Sequence, residues 1–280
     1  MVVVSFGFGR RGGSVLNVVG STSVQPFAEL LSQEYQKVHP TRAVDVQGGG
    51  STQGVQSVLE DIADIGMCSR KLKAEEAQKL QAIQIAQDGL AVVVHTSNPI
   101  HGLRLTEIRD IFAGRLTQWD DLPQWAQAGG RPKQPIRLIT REEGSGTREA
   151  FTKLVMEARD KSVASGPGGS GEGVGHEPLR ISPKALTQES NGAVKELVRH
   201  DPCAIGYMSL GLVGQDLKAL DVEGVSPTIA EVTRGGYPLV RPFLFVVKGR
   251  PGPDAQAFID YVLSAEGQRL LEAEGLVRIR

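Results

Sequence analysis

The 280-residue sequence predicts an α/β fold. Short apolar, β-branched runs alternate with stretches whose apolar residues recur every three to four positions, the periods of buried strands and amphipathic helices. Between them sits a loop rich in glycine, serine and threonine, and the order strand, small-residue loop, helix recurs four times.

Residues 15–19 (VLNVV) read as a buried strand. GSTSVQPF then opens a helix whose apolar positions, Val24, Phe27, Leu30, Leu31, Tyr35 and Val38, share one face. Pro26 suits its first turn, where a missing N–H costs nothing, and His39-Pro40 ends it. Residues 43–46 form a second strand, followed by GGGSTQG and a helix marked by Val55, Val58, Leu59 and Ile62. The third unit runs IRLIT, Arg141, EEGSGT, then a helix through Phe151, Leu154, Val155 and Ala158. The fourth is weaker: ESNGAVKELV sets Ser190-Asn191-Gly192 ahead of Val194, Leu197 and Val198. Further strands are expected at 63–67, 90–95, 204–208 and 243–247, and one C-terminal helix at 255–274. Residues 162–175 (SVASGPGGSGEGVG) lack periodicity and are expected to form a mobile surface loop, not a domain boundary.

The composition excludes several classes. Lys+Arg is 31 and Asp+Glu is 32, so the basic face that a nucleic-acid partner requires is not expected. Two cysteines and five histidines are scattered without ligand spacing, so neither a metal nor another cofactor is expected. One Cys68–Cys203 disulfide is formally possible, but both lie in apolar surroundings and are expected as buried free thiols. No apolar stretch approaches the roughly 20 residues needed to span a bilayer. In MVVVSFGFGRRGG the arginines follow the apolar run, the reverse of a secretory signal, so an exported form would have had its signal removed or replaced.

Among short motifs, Gly7-x-Gly9-x-x-Gly12 matches a dinucleotide fingerprint, yet a strand follows where a helix is required. A phosphate loop of the G-x-x-x-x-G-K type and a G-x-S-x-G elbow are both missing. The repeated loops remain. A helix start leaves backbone N–H groups unpartnered and carries about half a positive charge, so an oxyanion is stabilised there. Glycine permits close backbone approach, and serine or threonine adds hydroxyl donors. A single such residue is more simply a helix cap. Paired hydroxyls bracketed by glycine, met three times, exceed what capping needs. Arg141 and Arg148 flank the third loop, and an arginine fork matches a tetrahedral oxyanion. Salt bridges to Glu142, Glu143 or Glu149 are the alternative use of both.

Taken in order, GSTSVQP, VQGGGSTQG, ADIGMCSR, QDGLAVVVHTSNP, TREEGSGTREAF, QESNGAVKEL, CAIGYMSLG and YPLVRPFLFVVK make the chain similar to the phosphate-binding proteins that serve bacterial ABC importers, from about Val18 to the C-terminus. The resemblance implies a two-lobe α/β fold with a ligand cleft between the lobes and a hinge of two crossovers, placed near 95–98 and 235–241. Lobe 1 would be 1–95 with 240–280, and lobe 2 96–239. It also implies inorganic phosphate as ligand, a membrane ABC permease as partner, a monomer, and a periplasmic or extracellular, membrane-associated location. The family's phosphate loops fall on Ser21, Thr22 and Ser23, on Ser51, and on Arg141, Ser145, Gly146 and Thr147. Some members place an aspartate after the strand that here reads IGMCSR, where it accepts the proton of hydrogen phosphate and rejects sulfate. This chain has Arg70 there, which either donates to the anion or pairs with a carboxylate. Asp88 is the candidate proton acceptor, with Glu142 second; an ordinary turn residue before Gly89 is the alternative for Asp88. The expected function is therefore a non-enzymatic phosphate receptor. The alternatives are another tetrahedral oxyanion such as sulfate or molybdate, or a phosphoryl-handling enzyme, for which no metal–carboxylate cluster or activated nucleophile stands out.

Overall fold

The computed structural model of the protein describes residues 15–158 and 179–279. The 162–175 segment and the Gly7–Gly12 motif lie outside the described residues. The elements are β1 (Leu16–Gly20), α1 (Gln25–Val38), β2 (Val44–Gly48), α2 (Ser51–Leu59), β3 (Ile65–Cys68), α3 (Ala74–Ala77), β4 (Leu80–His95), β5 (Gly102–Leu103) and α4 (Leu105–Phe112). There follow α5 (Pro123–Gln127), β6 (Arg137–Arg141), α6 (Gly146–Phe151), β7 (Leu186–Gln188), α7 (Asn191–His200) and β8 (Ala204–Ser209). The chain closes with β9 (Leu217–Ala219), β10 (Asp221–Val222), α8 (Ile229–Arg234), β11 (Val240–Lys248), α9 (Pro253–Leu263) and α10 (Ala265–Ala273).

All four strand–loop–helix units form. Their strands join one path in the order β2-β1-β3-β11-β4-β8-β6-β7, with β9 also on β4. Strands β1, β2 and β3 are mutually parallel, and so are β6, β7 and β8. Each loop therefore leaves the carboxyl end of a parallel strand, where open α/β sheets bind ligands.

The long strand β4 and strand β11 join the two parallel groups. Residues 80–89 of β4 pair antiparallel with β11, and residues 90–94 pair with β8. The apolar runs alternate between two buried faces. In β11, Phe243, Phe245 and Val247 enter one core and Leu244 and Val246 another. In the second half of β4, Leu90, Val92 and Val94 enter a third core, while Ala91 and Val93 enter a fourth. A strand covered on both faces reads as a continuous apolar run, which is why LAVVVH and FLFVV stand out in the sequence. Residues 90–94, expected in lobe 1, are paired with and packed among the β8 group.

Three expectations need correction. The C-terminal helix is two helices: Ser264 is extended (φ −68°, ψ 164°), and its hydroxyl caps α10 by accepting from the Gly267 N–H at 3.2 Å. The helix expected through Ala158 ends as α6 at Phe151 and continues as a π-helical turn, Thr152–Met156. Cys203 is only half-buried, although both cysteines are free thiols and Cys68 is buried.

Candidate functional site

Three loops of the first parallel group meet two of the second. The Ser21–Ser23 loop follows β1, Ser51 begins α2, and Ser69-Arg70 follows β3. Opposite them stand the loop from Arg141 to Thr147 and Asn191 at the start of α7. Ser21, Ser23, Ser51, Ser69, Ser145, Thr147, Asn191 and Arg141 are all buried. Thr22 is half-buried.

Hydroxyls contact one another across this junction. Ser23 Oγ lies 2.8 Å from Thr147 Oγ1, and Asn191 Nδ2 donates to Ser23 Oγ at 2.8 Å. Ser21 Oγ donates to Ser69 Oγ at 2.9 Å, and Ser51 Oγ lies 3.3 Å from the same atom. Capping explains little of this. The residue before α1 is Val24 and the residue before α2 is Gly50, and neither helix start has a side-chain cap. Of the hydroxyls in the first three loops Ser145 caps, accepting from the Arg148 N–H at 3.4 Å, and at the fourth Ser190 caps α7, accepting from the Ala193 N–H at 3.0 Å. The hydroxyls of Ser21, Ser23, Ser51 and Thr147 point into the shared junction instead.

Two glycines allow this approach. Gly50 has φ +97°, a left-handed angle that side chains resist, and a Cβ there would sit 3.2 Å from the Gly144 carbonyl oxygen. A Cβ on Gly146 would sit 2.2 Å from Ser51 Oγ and 2.6 Å from Ser69 Oγ. The backbone bond from Thr52 N–H to Gly144 O, 3.1 Å, closes the edge of the junction.

Arg141 extends from the end of β6 across to Thr22, donating from Nη2 to Thr22 Oγ1 at 3.0 Å. Glu142 holds the guanidinium in bidentate fashion, with both bonds at 2.8 Å, and Nε also donates to the Gln188 carbonyl at 3.1 Å. Its backbone is fixed by Tyr207, whose hydroxyl accepts from Arg141 N–H at 3.3 Å and lies 2.7 Å from Thr140 Oγ1. Burial pushes the Tyr207 phenol up, so it stays neutral. Arg141 Nη1 is buried and has no hydrogen-bond partner among the described residues. Leaving such a group unpaired costs about 1–3 kcal/mol, and more when it is charged.

Arg241 is the residue that sequence reasoning missed. It starts β11 beside the end of β3 and is the register partner of Asp88 on β4. Its Nη1 donates to Thr147 Oγ1 at 2.8 Å and to Ser69 Oγ at 3.4 Å. Its Nε and Nη2 lie 2.9 and 2.8 Å from Asp88 Oδ2. Asp88 Oδ1 accepts from Ser209 Oγ at 2.8 Å. Burial pushes the Asp88 carboxyl above the ordinary carboxylate range, against the opposing pull of Arg241 and Ser209. Burial likewise pulls Arg241 down from its ordinary value, against the stabilising charge of Asp88. Asp88 is thus engaged by Arg241 and Ser209, and the other candidate acceptor, Glu142, is held by Arg141.

Arg70 also has protein partners. Its fork is bidentate on Glu76 (2.7 and 2.9 Å), and its Nε lies 2.8 Å from Glu149 Oε2. Burial alone would lower its pKa, but the Glu76 hydrogen bond and the nearby carboxylates outweigh that and raise it. Arg148 turns away from the junction, to Glu143 at 2.8 Å and to the Arg141 carbonyl at 2.6 Å. Apart from the motif RPFLFVV, which places an arginine at the mouth of an apolar strand, the sequence offered no signal for Arg241.

A family model described as a PBP superfamily domain matches residues 10–266. The phosphate-binding protein PstS of Bacillus subtilis (strain 168) is 28% identical over 264 residues, covering 93% of this chain and 79% of that protein. A crystal structure of a candidate phosphate ABC transporter substrate-binding protein with bound phosphate, from Clostridium perfringens, matches with TM-score 0.83 at 33% identity, over 95% of this chain and 100% of that one. An ABC-type phosphate transport receptor from Vibrio cholerae matches with TM-score 0.71 at 33% identity, over 94% and 99% of the two chains.

Proposed function

We propose, for a chain that belongs to the PBP superfamily, that it binds inorganic phosphate at the junction of the hydroxyl loops and delivers it to an ABC permease. The carrying observation is the buried Arg141 guanidinium, with Nη1 unpartnered, beside buried hydroxyls that do not serve as caps. An oxyanion supplies the acceptor that Nη1 lacks and can replace the bonds that the hydroxyls make to one another. Ser21, Thr22, Ser23, Ser51, Ser145, Gly146 and Thr147 are the proposed donors, from side chain or backbone, with Arg141 as the charged ligand.

Asp88 and Arg70 take supporting roles in this reading. Asp88 orients Arg241, which in turn aims Thr147 and Ser69. Arg70 serves the carboxylates of Glu76 and Glu149. The proposed lobes divide inside β4, at 89/90, where the strand pairing and the core change partners, and at 239/240, where β11 begins. That moves the first crossover upstream of 95–98. Closure about these crossovers removes water and strengthens each bond to the anion.

Hydrogen bonds to a charged partner contribute roughly 1.5–3 kcal/mol each. Micromolar affinity requires only about 8 kcal/mol net, so eight such bonds leave room for desolvation and closure. A second reading, a receptor for another tetrahedral oxyanion, is favoured by one observation: Asp88 and Glu142 are both held by arginines, which leaves the proton of hydrogen phosphate to hydroxyl oxygens. Action outside the cytoplasm on a membrane permease follows from the receptor reading, and among the described residues no helix is long and apolar enough to cross a membrane.

Calorimetry with phosphate, sulfate and arsenate in parallel tests the reading. Phosphate is expected to bind at micromolar concentration or below. Absence of phosphate heat together with an unshifted melting temperature would overturn it. A chromogenic phosphate ester separates receptor from enzyme, since steady turnover would reject the receptor.

A further inference from the structure

The contacts that join the two parallel groups fall into two sets. One runs through the hydroxyls and Arg141. The other lies to one side and contains no group assigned to the anion: Arg70, Glu76 and Thr52 face Glu149 and the Gly144 carbonyl. Glu149 lies on α6, three residues after Gly146, so its position and that of the anion loop are coupled through one rigid turn.

We propose that Glu149 is a closure latch, a positioning residue that clasps Arg70 across the cleft and slows release of the anion without touching it. The proposal rests on the two-lobe receptor reading. Arg70 is a prepared cation. Glu76 and the Lys71 carbonyl fix its fork, and Nε lies 2.8 Å from Glu149 Oε2, an ion-pair contact without hydrogen-bond geometry. Thr52 Oγ1 holds the other carboxylate oxygen at 3.3 Å. Arg70 and Glu76 are buried, whereas the Glu149 side chain is 23% exposed, on the wall of a cleft of about 770 Å³ also lined by Thr52, Lys73, Gly144 and Arg148.

This asymmetry makes the clasp reversible. An isolated buried charge is costly to create, and breaking an ion pair usually creates one. Here it does not. When the lobes part, Glu149 moves into water and Arg70 keeps the charge of Glu76. Thr52 is freed with Glu149, and its N–H leaves the Gly144 carbonyl in the same motion. The clasp therefore adds to the stability of the closed form while leaving the open form free of an unpaired buried ion.

The test is Glu149→Gln, with Glu157→Gln on the same cleft wall as the control, followed by stopped-flow binding of inorganic phosphate. The expected result is dissociation about tenfold faster with association within twofold of the parent, because a latch acts after encounter. Unchanged dissociation in a folded Glu149→Gln protein overturns the proposal, as does an equal effect from Glu157→Gln. If Glu149→Gln fails to fold, Glu149→Asp, which withdraws the carboxylate by one methylene, carries the same two outcomes. Calorimetry of the parent separates this failure from failure of the receptor reading: a parent that binds no phosphate overturns that reading, whereas a parent that binds phosphate, beside a Glu149 variant with unchanged dissociation, overturns the latch alone.

Discussion

Gly146→Ala separates what a helix prefers from what closure permits. Gly146 is the first residue of α6 and has no left-handed backbone angle, so alanine is allowed there locally. Alanine is also the better helix former, by up to about 1 kcal/mol in a helix interior. The obstacle lies across the cleft. The added Cβ would meet Ser51 Oγ at 2.2 Å, Ser69 Oγ at 2.6 Å and Ser51 Cβ at 2.9 Å, where ordinary contact begins at 3.4 Å. Rotating Ser51 relieves the first contact but abandons the 3.0 Å bond from Ser69 N–H to Ser51 Oγ, and leaves the third. The loops must therefore part by roughly 1 Å, with an overpacking cost of about 1–3 kcal/mol. One or two hydrogen bonds of about 1 kcal/mol each are lost as well. Together, at about 2–5 kcal/mol, these weaken phosphate binding by about 30-fold to 4,000-fold, at 1.4 kcal/mol per factor of ten. The melting temperature without phosphate should not fall, because only the closed state clashes. Calorimetry paired with thermal melts reads both. A dissociation constant within threefold of the parent would refute the reasoning, and a lowered phosphate-free melting temperature would place the clash within a lobe.

Three further outcomes are expected. Arg141→Ala should weaken phosphate binding by about 2–5 kcal/mol, because the anion loses its cation in a buried site and half-buried Glu142 loses its partner beside it; calorimetry checks this, and wild-type affinity would remove Arg141 from the ligand set. Asp88→Asn breaks the buried pair with Arg241 and should destabilise the protein by about 3–5 kcal/mol in denaturant melts. Its preference for phosphate over sulfate should stay within twofold, and a narrowed preference would return the proton-acceptor role to Asp88. For Glu76, burial raises the pKa, but the hydrogen bond and charge of Arg70 prevail and hold it below its ordinary 4.5; Arg104 does the same for Glu107. Both carboxylates bind protons more readily unfolded than folded, so their contribution is complete above pH 4.5 and is lost as pH falls through the depressed folded values. Melting temperature should drop below that pH, and Glu76→Gln should remove part of the drop.

Much of the molecule was legible because its signals are local. A loop such as GSGT between IRLIT and an apolar-periodic stretch announces strand, turn and helix within about a dozen residues, since backbone angles and one-sided burial are set by near neighbours. The crowding of hydroxyls and glycine beyond capping needs pointed to an anion for the same reason. Helix breaks were less legible: Ser264 caps α10 in the middle of a periodic apolar pattern, and the pattern alone favours one longer helix.

What each charged residue does was decided only by the tertiary structure. Asp88 read as a free carboxylate at a turn until β11 placed Arg241 against it, 153 positions along the chain. Arg70 could serve an anion or a carboxylate, and packing supplied Glu76 from its own side and Glu149 from the other. Strand β4 passes from β11 to β8 between Gly89 and Leu90, a change of partner that belongs to no single strand. The sequence by itself determined which segments form the loops and that those loops favour an oxyanion, because both follow from short-range chemistry. Charge pairing over long separations has no local signature, so folding had to bring the partners together before any of them had a role.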